Sequence, residues 1–475
     1  MQHQYYKSDF KPLRNQLNKY SPLTIINYCI FELQKTWNGI SGYKLPSLPW
    51  HIFNIMIWGV HFGDPNSRKI IDGKSFNRIY NLTKGLPDEN IVIEKEIKDF
   101  ELWWEIRKIF HQQRLYQIDG GLLGVGFILT FLDEIPDSKI RSLTIFLIFF
   151  YLAISQTDKP TSFNKEYFLP LIDKEDLDFI WEFYHLTQDK VIEIAENSIK
   201  EYKTVYFERN SFTAFRDFPV YVDRHNRITT FQLPILNYYL RNCYVDVLIK
   251  QGYIERKLIE DKFEEFIIDY AKSFDKNFNK TKTGADLILI KQNGNVFIEI
   301  KSGRLHGLLP QFPTIEAHLE SLRSTIVKGY QQILYSYRKN MNSDCVGFII
   351  TFNDLTFGLP QDNWKLWGYR IFKNEDLTQD EQNFLENYVW VVDYVEFIES
   401  IHAINGFEDI HKFMNDIVEN NKTPGNKKHS LLEYAKKPRS ISEIHIIGSL
   451  LEKHFKKIKS IIEENLGIEA GSGEL

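Results

Sequence analysis

The sequence predicts a mixed α and β protein (α+β or α/β), in which a large, mostly helical N-terminal domain precedes a mixed-sheet domain and a helical C-terminal tail. Apolar residues recur at helical spacing through much of residues 1–215. Residues 286–301 alternate with the two-residue period of strands, and residues 345–352 form a short apolar run typical of a buried strand. These observations place the boundaries at 1–215, 216–250 (a connecting hairpin and linker), 251–405 and 406–475.

Helical spacing in the N-terminal domain is clearest in residues 21–35, 94–113 and 174–202. The apolar runs 122–132 and 143–154 are shorter than the ~20 residues that cross a bilayer as a helix. We therefore expect them to form a buried helical hairpin, and we expect no membrane segment. Farther along the chain, residues 219–233 read as a hairpin that leads towards the sheet domain.

The composition argues against some kinds of site but does not favour one function. The 475 residues carry 58 basic and 63 acidic side chains, a formal charge of −5, so any nucleic-acid contact requires a local basic patch. The three cysteines, Cys29, Cys243 and Cys345, are widely spaced, which argues against a disulfide framework or a cysteine zinc site. The N-terminus lacks an apolar signal region. A cytoplasmic location is the expectation.

The segment 286–301, DLILIKQNGNVFIEIK, predicts a β-hairpin that turns at Asn293-Gly294. A two-residue turn there would pair Ile288 with Glu299, and Asp286 with Lys301. Asp286, Glu299 and Lys301 would then share one face, with the two acids as diagonal neighbours roughly 7–8 Å apart at Cα. The opposite face would be wholly apolar, consisting of Leu287, Leu289, Ile298 and Ile300.

Two interpretations of this hairpin stay open on the residues alone. In the first, Lys301 only neutralises two acids on a solvated surface. In the second, the two carboxylates hold a hard cation such as Mg²⁺, which prefers oxygen ligands and is often bound by one or two carboxylates. The positioned Asp286 and the clean alternation favour the second.

This pattern resembles the PD-(D/E)xK nuclease superfamily, whose members have the restriction-endonuclease-like fold. The resemblance implies that Asp286 and Glu299 hold Mg²⁺ or Mn²⁺ together with the backbone carbonyl of Ile300. It also implies that Lys301 orients or deprotonates the attacking water. The sequence departs from the family pattern before the first acid, where Gly284-Ala285 stands in place of the expected proline.

The flanking segments add further candidates. Residues 258–274 predict an amphipathic helix. Family members carry an additional acid on such a helix, which makes Glu264 the first choice and Glu260 the second. An ordinary solvated helix face explains these acids equally well. Downstream, residues 315–338 predict a helix with Gln331 and Tyr335 one turn apart, similar to the extra motif of RecB-type nucleases beside the DNA path.

The C-terminal part carries weaker signals. Residues 388–397 predict another strand of the sheet. Residues 422–459 are rich in lysine and could contact a phosphate backbone, although a solvated helix surface is the favoured interpretation.

We therefore expect a metal-dependent nuclease that hydrolyses phosphodiester bonds. DNA is favoured over RNA because the resemblance is to DNA-acting enzymes, and a role in restriction or anti-phage defence is a family-level expectation. The alternatives are an RNA-cleaving effector nuclease, and a non-catalytic nucleic-acid-binding or assembly protein on a nuclease scaffold. A protein partner or trigger acting through the helical domain is expected, and homo-oligomerisation is left open.

Overall fold

The chain is largely helical, with a five-stranded mixed sheet in the middle. The architecture comes from a computed structural model. It describes residues 10–35, 37, 49–85, 120–187, 218–223, 225–292, 294–302, 322–340, 344–352, 359–423 and 430–435, with residues 189, 190, 192, 193, 196, 320, 426 and 428.

The described N-terminal part consists of helices and short 3₁₀ turns at Leu132–Glu134 and Lys165–Phe168. Ser21 caps the second helix by accepting a hydrogen bond from the Thr24 N–H at 3.4 Å, and Pro22 occupies the first helical position, where its missing N–H costs nothing. The helices are α1 (Lys11–Leu17), α2 (Pro22–Gln34), α3 (Pro49–Phe62), α4 (Gly73–Lys84), α5 (Gly121–Leu129), α6 (Ser138–Ser155) and α7 (Lys174–Phe183).

The helical predictions in this part have different outcomes. The helix predicted at 21–35 is α2, and the apolar pair 122–132 and 143–154 corresponds to α5 and α6. The segment 94–113 lies outside the described residues. The helix predicted at 174–202 is interrupted after Phe183, where the carbonyl of Tyr184 accepts a hydrogen bond from the N–H of Val222 at 2.8 Å, and the described residues 189, 190, 192, 193 and 196 are helical again. The chain leaves the helix there to meet a strand.

Helix α6 is long and apolar. Among the described residues, Ser138–Ser155 is the one helix with the length and composition to cross a bilayer, and half of it is buried inside the protein. Phe146 lies on the buried side, with its ring centroid 4.9 Å from that of Phe168 and 5.9 Å from that of Trp181. These contacts are those of a core helix.

The hairpin predicted at 219–233 is confirmed. Strands β1 (Val220–Val222) and β2 (Ile228–Thr230) pair antiparallel. The residues that follow are helical: α8 (Leu233–Tyr238) continues through a π-helical turn (Tyr239–Cys243) into α9 (Tyr244–Lys250).

The sheet has the strand order β3-β4-β5-β6-β7. The first three strands are antiparallel, whereas β5, β6 and β7 run parallel. Helix α10 (Arg256–Phe274) comes before the sheet, and α11 (Lys328–Lys339), preceded by a π-helical turn (Arg323–Val327), comes between β5 and β6. The strands are β3 (Asn279–Lys280), β4 (Leu287–Lys291), β5 (Gly294–Lys301), β6 (Cys345–Thr351) and β7 (Val389–Asp393).

The remaining elements follow β6 along the chain. The strand predicted at 345–352 is β6, but the one predicted at 388–397 is correct only as far as Asp393. The side chain of Asp393 accepts a hydrogen bond from the Glu396 N–H at 2.9 Å and starts a helix instead. The elements are α12 (Pro360–Asn363), a π-helical turn (Trp364–Gly368), α13 (Tyr369–Ile371), α14 (Gln379–Tyr388), α15 (Tyr394–Ala403), α16 (Ile410–Asn421) and α17 (Leu431–Tyr434).

The two faces of the sheet have separate apolar cores. On one face, Phe297 packs with Ile333 of α11 and Phe384 of α14. On the other, Ile298 belongs to a larger core that extends without interruption from α1 to α17. Phe127 of α5 lies within this larger core, 5.8 Å from Phe263 of α10 and 5.3 Å from Phe352 after β6, between ring centroids. The helical region and the sheet therefore share one core.

Candidate functional site

The β4–β5 hairpin has a different register from the predicted one. Ile288 pairs with Phe297 rather than with Glu299, and Lys291 pairs with Gly294, so the connection is residues 292–293. Asn293 itself lies outside the described residues. The pairing differs by two positions, and an even difference leaves every side chain on its predicted face. Leu287, Leu289, Ile298 and Ile300 indeed lie in the larger core.

Gly294 explains the shift. It has φ of +133°, and a side chain there would collide with the backbone carbonyl of Asp344, which accepts a hydrogen bond from the Asn295 N–H at 2.8 Å. The glycine is thus needed where β5 passes close to the start of β6, so it lies inside the strand and not in the turn.

Asp286 lies directly before β4, opposite the end of β5. Its Oδ2 accepts a hydrogen bond from the backbone N–H of Ile300 at 2.7 Å. Burial raises the pKa of Asp286, and the negative charge of Glu264 raises it further, against the opposing effects of this hydrogen bond and of Lys301. The carboxylate is therefore held in place in an environment that disfavours its charge.

Glu299 is the most deeply buried of the three predicted residues, with none of its side chain exposed. Its Oε1 accepts a hydrogen bond from Lys301, whereas its Oε2 is buried and has no hydrogen-bond partner among the described residues. Burial, followed by the nearby charge of Asp286, raises the pKa of Glu299 to about 8. A buried carboxylate oxygen without a donor is costly unless something else binds it.

Lys301 ends β5, with 12% of its side chain exposed. Besides Glu299, its ammonium group donates a hydrogen bond to Oε1 of Gln332 at 2.8 Å. Gln332 in turn donates from Nε2 to the carbonyl oxygen of Gly284 at 3.2 Å. The structure therefore brings Asp286, Glu299 and Lys301 together and adds Gln332 of α11 to them.

The residue of α11 that contacts Lys301 is not one of the predicted pair. Gln331 is exposed, and its neighbour Gln332 makes the contact with Lys301. Tyr335 is 42% exposed, and its ring lies under the ammonium of Lys339, 4.3 Å from Nζ to the centroid. Hydrogen bonds from Lys339 and Thr283 lower the pKa of Tyr335. The sequence pattern that indicates Gln332 is its position at the edge of the buried face of α11.

The two acids predicted on α10 have different surroundings. Glu264 forms an ion pair with Lys280 of β3 at 2.6 Å and acts on Asp286 through its charge. Glu260 lines a small cleft beside the end of β5, together with Arg256, Ser302 and others. Of the two acids, Glu264 is therefore the one whose charge affects Asp286.

The donor set fits a divalent metal ion. Asp286 and Glu299 supply carboxylate oxygens, the ligand type that Mg²⁺ and Mn²⁺ prefer, and the unpartnered Oε2 of Glu299 is available to a cation. The third predicted ligand is the carbonyl of Ile300, whose N–H fixes Asp286. No group of three or more His, Cys, Asp or Glu side chains with metal-binding geometry occurs in the described part of the chain, so backbone or water oxygens would complete the shell.

The basic C-terminal stretch predicted at 422–459 falls mostly outside the described residues. Two of its lysines are described: Lys422 pairs with Glu419 at 2.6 Å, and Lys428 donates to the carbonyl oxygen of Glu433 at 2.7 Å. Both contacts are local.

All three cysteines are free and buried.

Comparisons of the chain with protein-family models, with curated proteins and with solved structures find no match. The chemistry of the site therefore rests on its own residues.

Proposed function

We propose that this protein is a metal-dependent nuclease of restriction-endonuclease-like fold that hydrolyses phosphodiester bonds through Asp286, Glu299 and Lys301. The observation that carries the proposal is the convergence of these three side chains at the end of β5, where Glu299 keeps a buried oxygen without a hydrogen-bond donor. A purely structural ion pair gains nothing from such an oxygen, because burying an unsatisfied carboxylate costs free energy.

Each residue has a role that its surroundings support. Asp286 and Glu299 would hold Mg²⁺ or Mn²⁺, with the carbonyl of Ile300 as a further ligand. When bound, the ion supplies charge neutralisation at the phosphate and acidifies a water. Lys301, held by Gln332 at 2.8 Å, would position the attacking water or, in its neutral amine form, accept the proton of that water.

The order of elements supports the fold assignment. A helix (α10), a hairpin (β4–β5), a second helix (α11) and a third strand (β6) follow one another in the order that the sequence resemblance implies. The mixed sheet places the ends of the parallel strands β5 and β6 side by side, Lys301 beside Thr351.

DNA is the proposed substrate, on the strength of the resemblance to DNA-acting enzymes. Restriction or anti-phage defence, with the helical region receiving a partner or trigger, belongs to the same proposal. Gln331 and Tyr335 belong to this proposal only through the resemblance, whereas Glu264 also has an electrostatic effect on Asp286 that supports its role.

The test compares wild type with Glu299→Gln and Lys301→Met on plasmid, linear duplex, single-stranded DNA and RNA, with Mg²⁺, Mn²⁺ or EDTA. Lys291→Met is the matched control, because Lys291 lies on the same hairpin and is paired with Asp275 at 3.1 Å. We expect cleavage by wild type and the control, loss in EDTA, and a loss of at least about 100-fold in the two site variants.

The alternatives give different results. Cleavage of RNA alone would identify an RNA-directed effector with the same site. Metal-independent binding that survives in Glu299→Gln and Lys301→Met, without cleavage by wild type, would contradict the nuclease and support a binding protein on this scaffold.

A further inference from the structure

The three residues that lead into β4, Gly284, Ala285 and Asp286, form what we call the approach segment. Its backbone precedes the ladder of β4, which begins at Leu287. Its polar groups therefore need partners from outside the sheet. Thr281 supplies two of them, donating from its N–H to the carbonyl of Asp286 at 3.0 Å and from its hydroxyl to that of Ala285 at 2.5 Å.

Helix α11 supplies two more. The hydroxyl oxygen of Ser336 accepts a hydrogen bond from the N–H of Ala285 at 2.8 Å, and Nε2 of Gln332 donates to the carbonyl of Gly284 at 3.2 Å. Gln332 and Ser336 are four residues apart, so they lie on one face of the helix. Two side chains of one helix thus hold two successive residues of the approach segment.

The approach segment and Ser336 are in close contact. Gly284 has φ of +90°, and a Cβ on it would overlap the hydroxyl oxygen of Ser336. Ser336 is 1% exposed and Ala285 is fully buried, so water does not replace the bond between them.

We infer that Gln332 and Ser336 are positioning residues, which fix Asp286 and Lys301 relative to each other. This inference rests on the proposed function. Gln332 bonds to Lys301 through its oxygen and to the approach segment through its nitrogen, so it connects the lysine to the backbone that carries Asp286. Ser336 holds the residue directly before Asp286.

Positioning by Ser336 is distinct from substrate binding. The hydroxyl of Ser336 is buried against the approach segment, so it has no access to a polymer in solution. Its loss should leave KM for the substrate unchanged, whereas a displaced Asp286 should weaken metal binding and lower kcat.

The experiment uses Ser336→Ala and Gln332→Met in the full chain. Ser400→Ala is the control, because Ser400 is a fully buried serine on α15 whose hydroxyl has no hydrogen-bond partner among the described residues. Mn²⁺ affinity is measured by calorimetry, kcat and KM on the polymer that wild type cleaves, and amide hydrogen exchange in peptides covering residues 281–287. All are measured at a temperature where every variant is folded.

We expect faster exchange in residues 281–287, Mn²⁺ affinity lowered about tenfold and kcat lowered about tenfold or more at unchanged KM, in both variants and not in Ser400→Ala. Wild-type Mn²⁺ affinity and kcat in both variants would overturn the positioning role and leave the nuclease proposal standing. Absence of both Mn²⁺ binding and cleavage in wild type would overturn the two together.

Discussion

Asp286 and Ile300 are joined by a 2.7 Å hydrogen bond in which the backbone N–H of Ile300 donates to the carboxylate of Asp286. Ile300 is the residue between Glu299 and Lys301, so the first acid is attached to the strand that carries the other two groups. The bond requires only an acceptor oxygen at Asp286, whereas metal binding requires its charge. These two requirements can be separated by substitution.

Asp286→Asn should separate them, because the amide keeps an oxygen for the Ile300 N–H and loses the negative charge. We expect stability within about 1 kcal/mol of wild type and cleavage reduced at least about 100-fold. Asp286→Ala, which loses both, should also cost about 1–3 kcal/mol of stability. Chemical denaturation and a cleavage assay with Mg²⁺ measure the two effects. Full activity in the Asn variant would contradict the metal-ligand role.

Glu299→Gln should stabilise the protein in EDTA at neutral pH. The pKa of Glu299 is raised to about 8 by burial, so between pH 4.5 and 8 the folded chain holds a proton that the unfolded chain releases. Stability therefore falls as pH rises through this range. Glutamine resembles the protonated form, so we expect a gain of about 1–3 kcal/mol at pH 7 and a flatter pH dependence.

The same variant should lose its response to metal. Mn²⁺ should raise the melting temperature of wild type, since a ligand that binds only the folded chain stabilises it, and should leave that of Glu299→Gln unchanged. An equal Mn²⁺ response in the two proteins would place the metal elsewhere.

Gly284→Ala should be destabilising for two reasons. Its φ of +90° is unfavourable for alanine, and the added Cβ would overlap the Ser336 hydroxyl. We expect a loss of about 1–3 kcal/mol in urea unfolding. Gly252→Ala is the matched control, because Gly252 also has positive φ, +75°, but a Cβ there meets open space. Equal losses in the two variants would show that the contact with Ser336 adds nothing.

Glu381→Gln should change the response of the protein to acid. A hydrogen-bonded ion pair with Arg338 at 2.6 Å lowers the pKa of Glu381 below its ordinary value of 4.5. The stability that this pair contributes is present above pH 4.5 and is lost as pH falls through the lowered pKa. Wild type should therefore lose more stability between pH 6 and pH 3 than the variant. Glu386→Gln, on the same helix, is the control.

Phe127→Ala should destabilise the sheet as well as α5, because its ring lies within 5.8 Å of Phe263 and 5.3 Å of Phe352. We expect a loss of about 3–5 kcal/mol in a single unfolding transition. Phe183→Ala, at a position 37% exposed, should cost less. Two separate transitions in wild type would show that the helical region and the sheet unfold independently.

The sequence predicts which side chains share a face of the hairpin. It does not predict which residues pair across it. Side chains alternate with a period of two, so an error of two positions left Asp286, Glu299 and Lys301 together. Asn293-Gly294 is a strong local signal for a turn at these two residues. Gly294 is instead required inside the strand by the carbonyl of Asp344, which is distant in sequence.

Helix phase and element ends were harder to predict for the same reason. Each residue turns a helix by about 100°, so choosing Gln331 over Gln332 changes the side that faces Lys301. The end of α7 depends on a strand that begins at Val220, and the start of α15 depends on a cap by Asp393 within a continuous apolar run. These outcomes are set by tertiary contacts that a local pattern does not contain.

The position of Phe127 has a thermodynamic consequence. Its ring contacts both α10 and the residue that follows β6. The packing of α5 and the arrangement of the strand ends therefore contribute to the same free energy of folding. A ligand that bound the helical region and shifted α5 would change the affinity of the strand ends for the metal ion proposed there. By reciprocity, occupancy of the strand ends would change the affinity of the first ligand by the same factor.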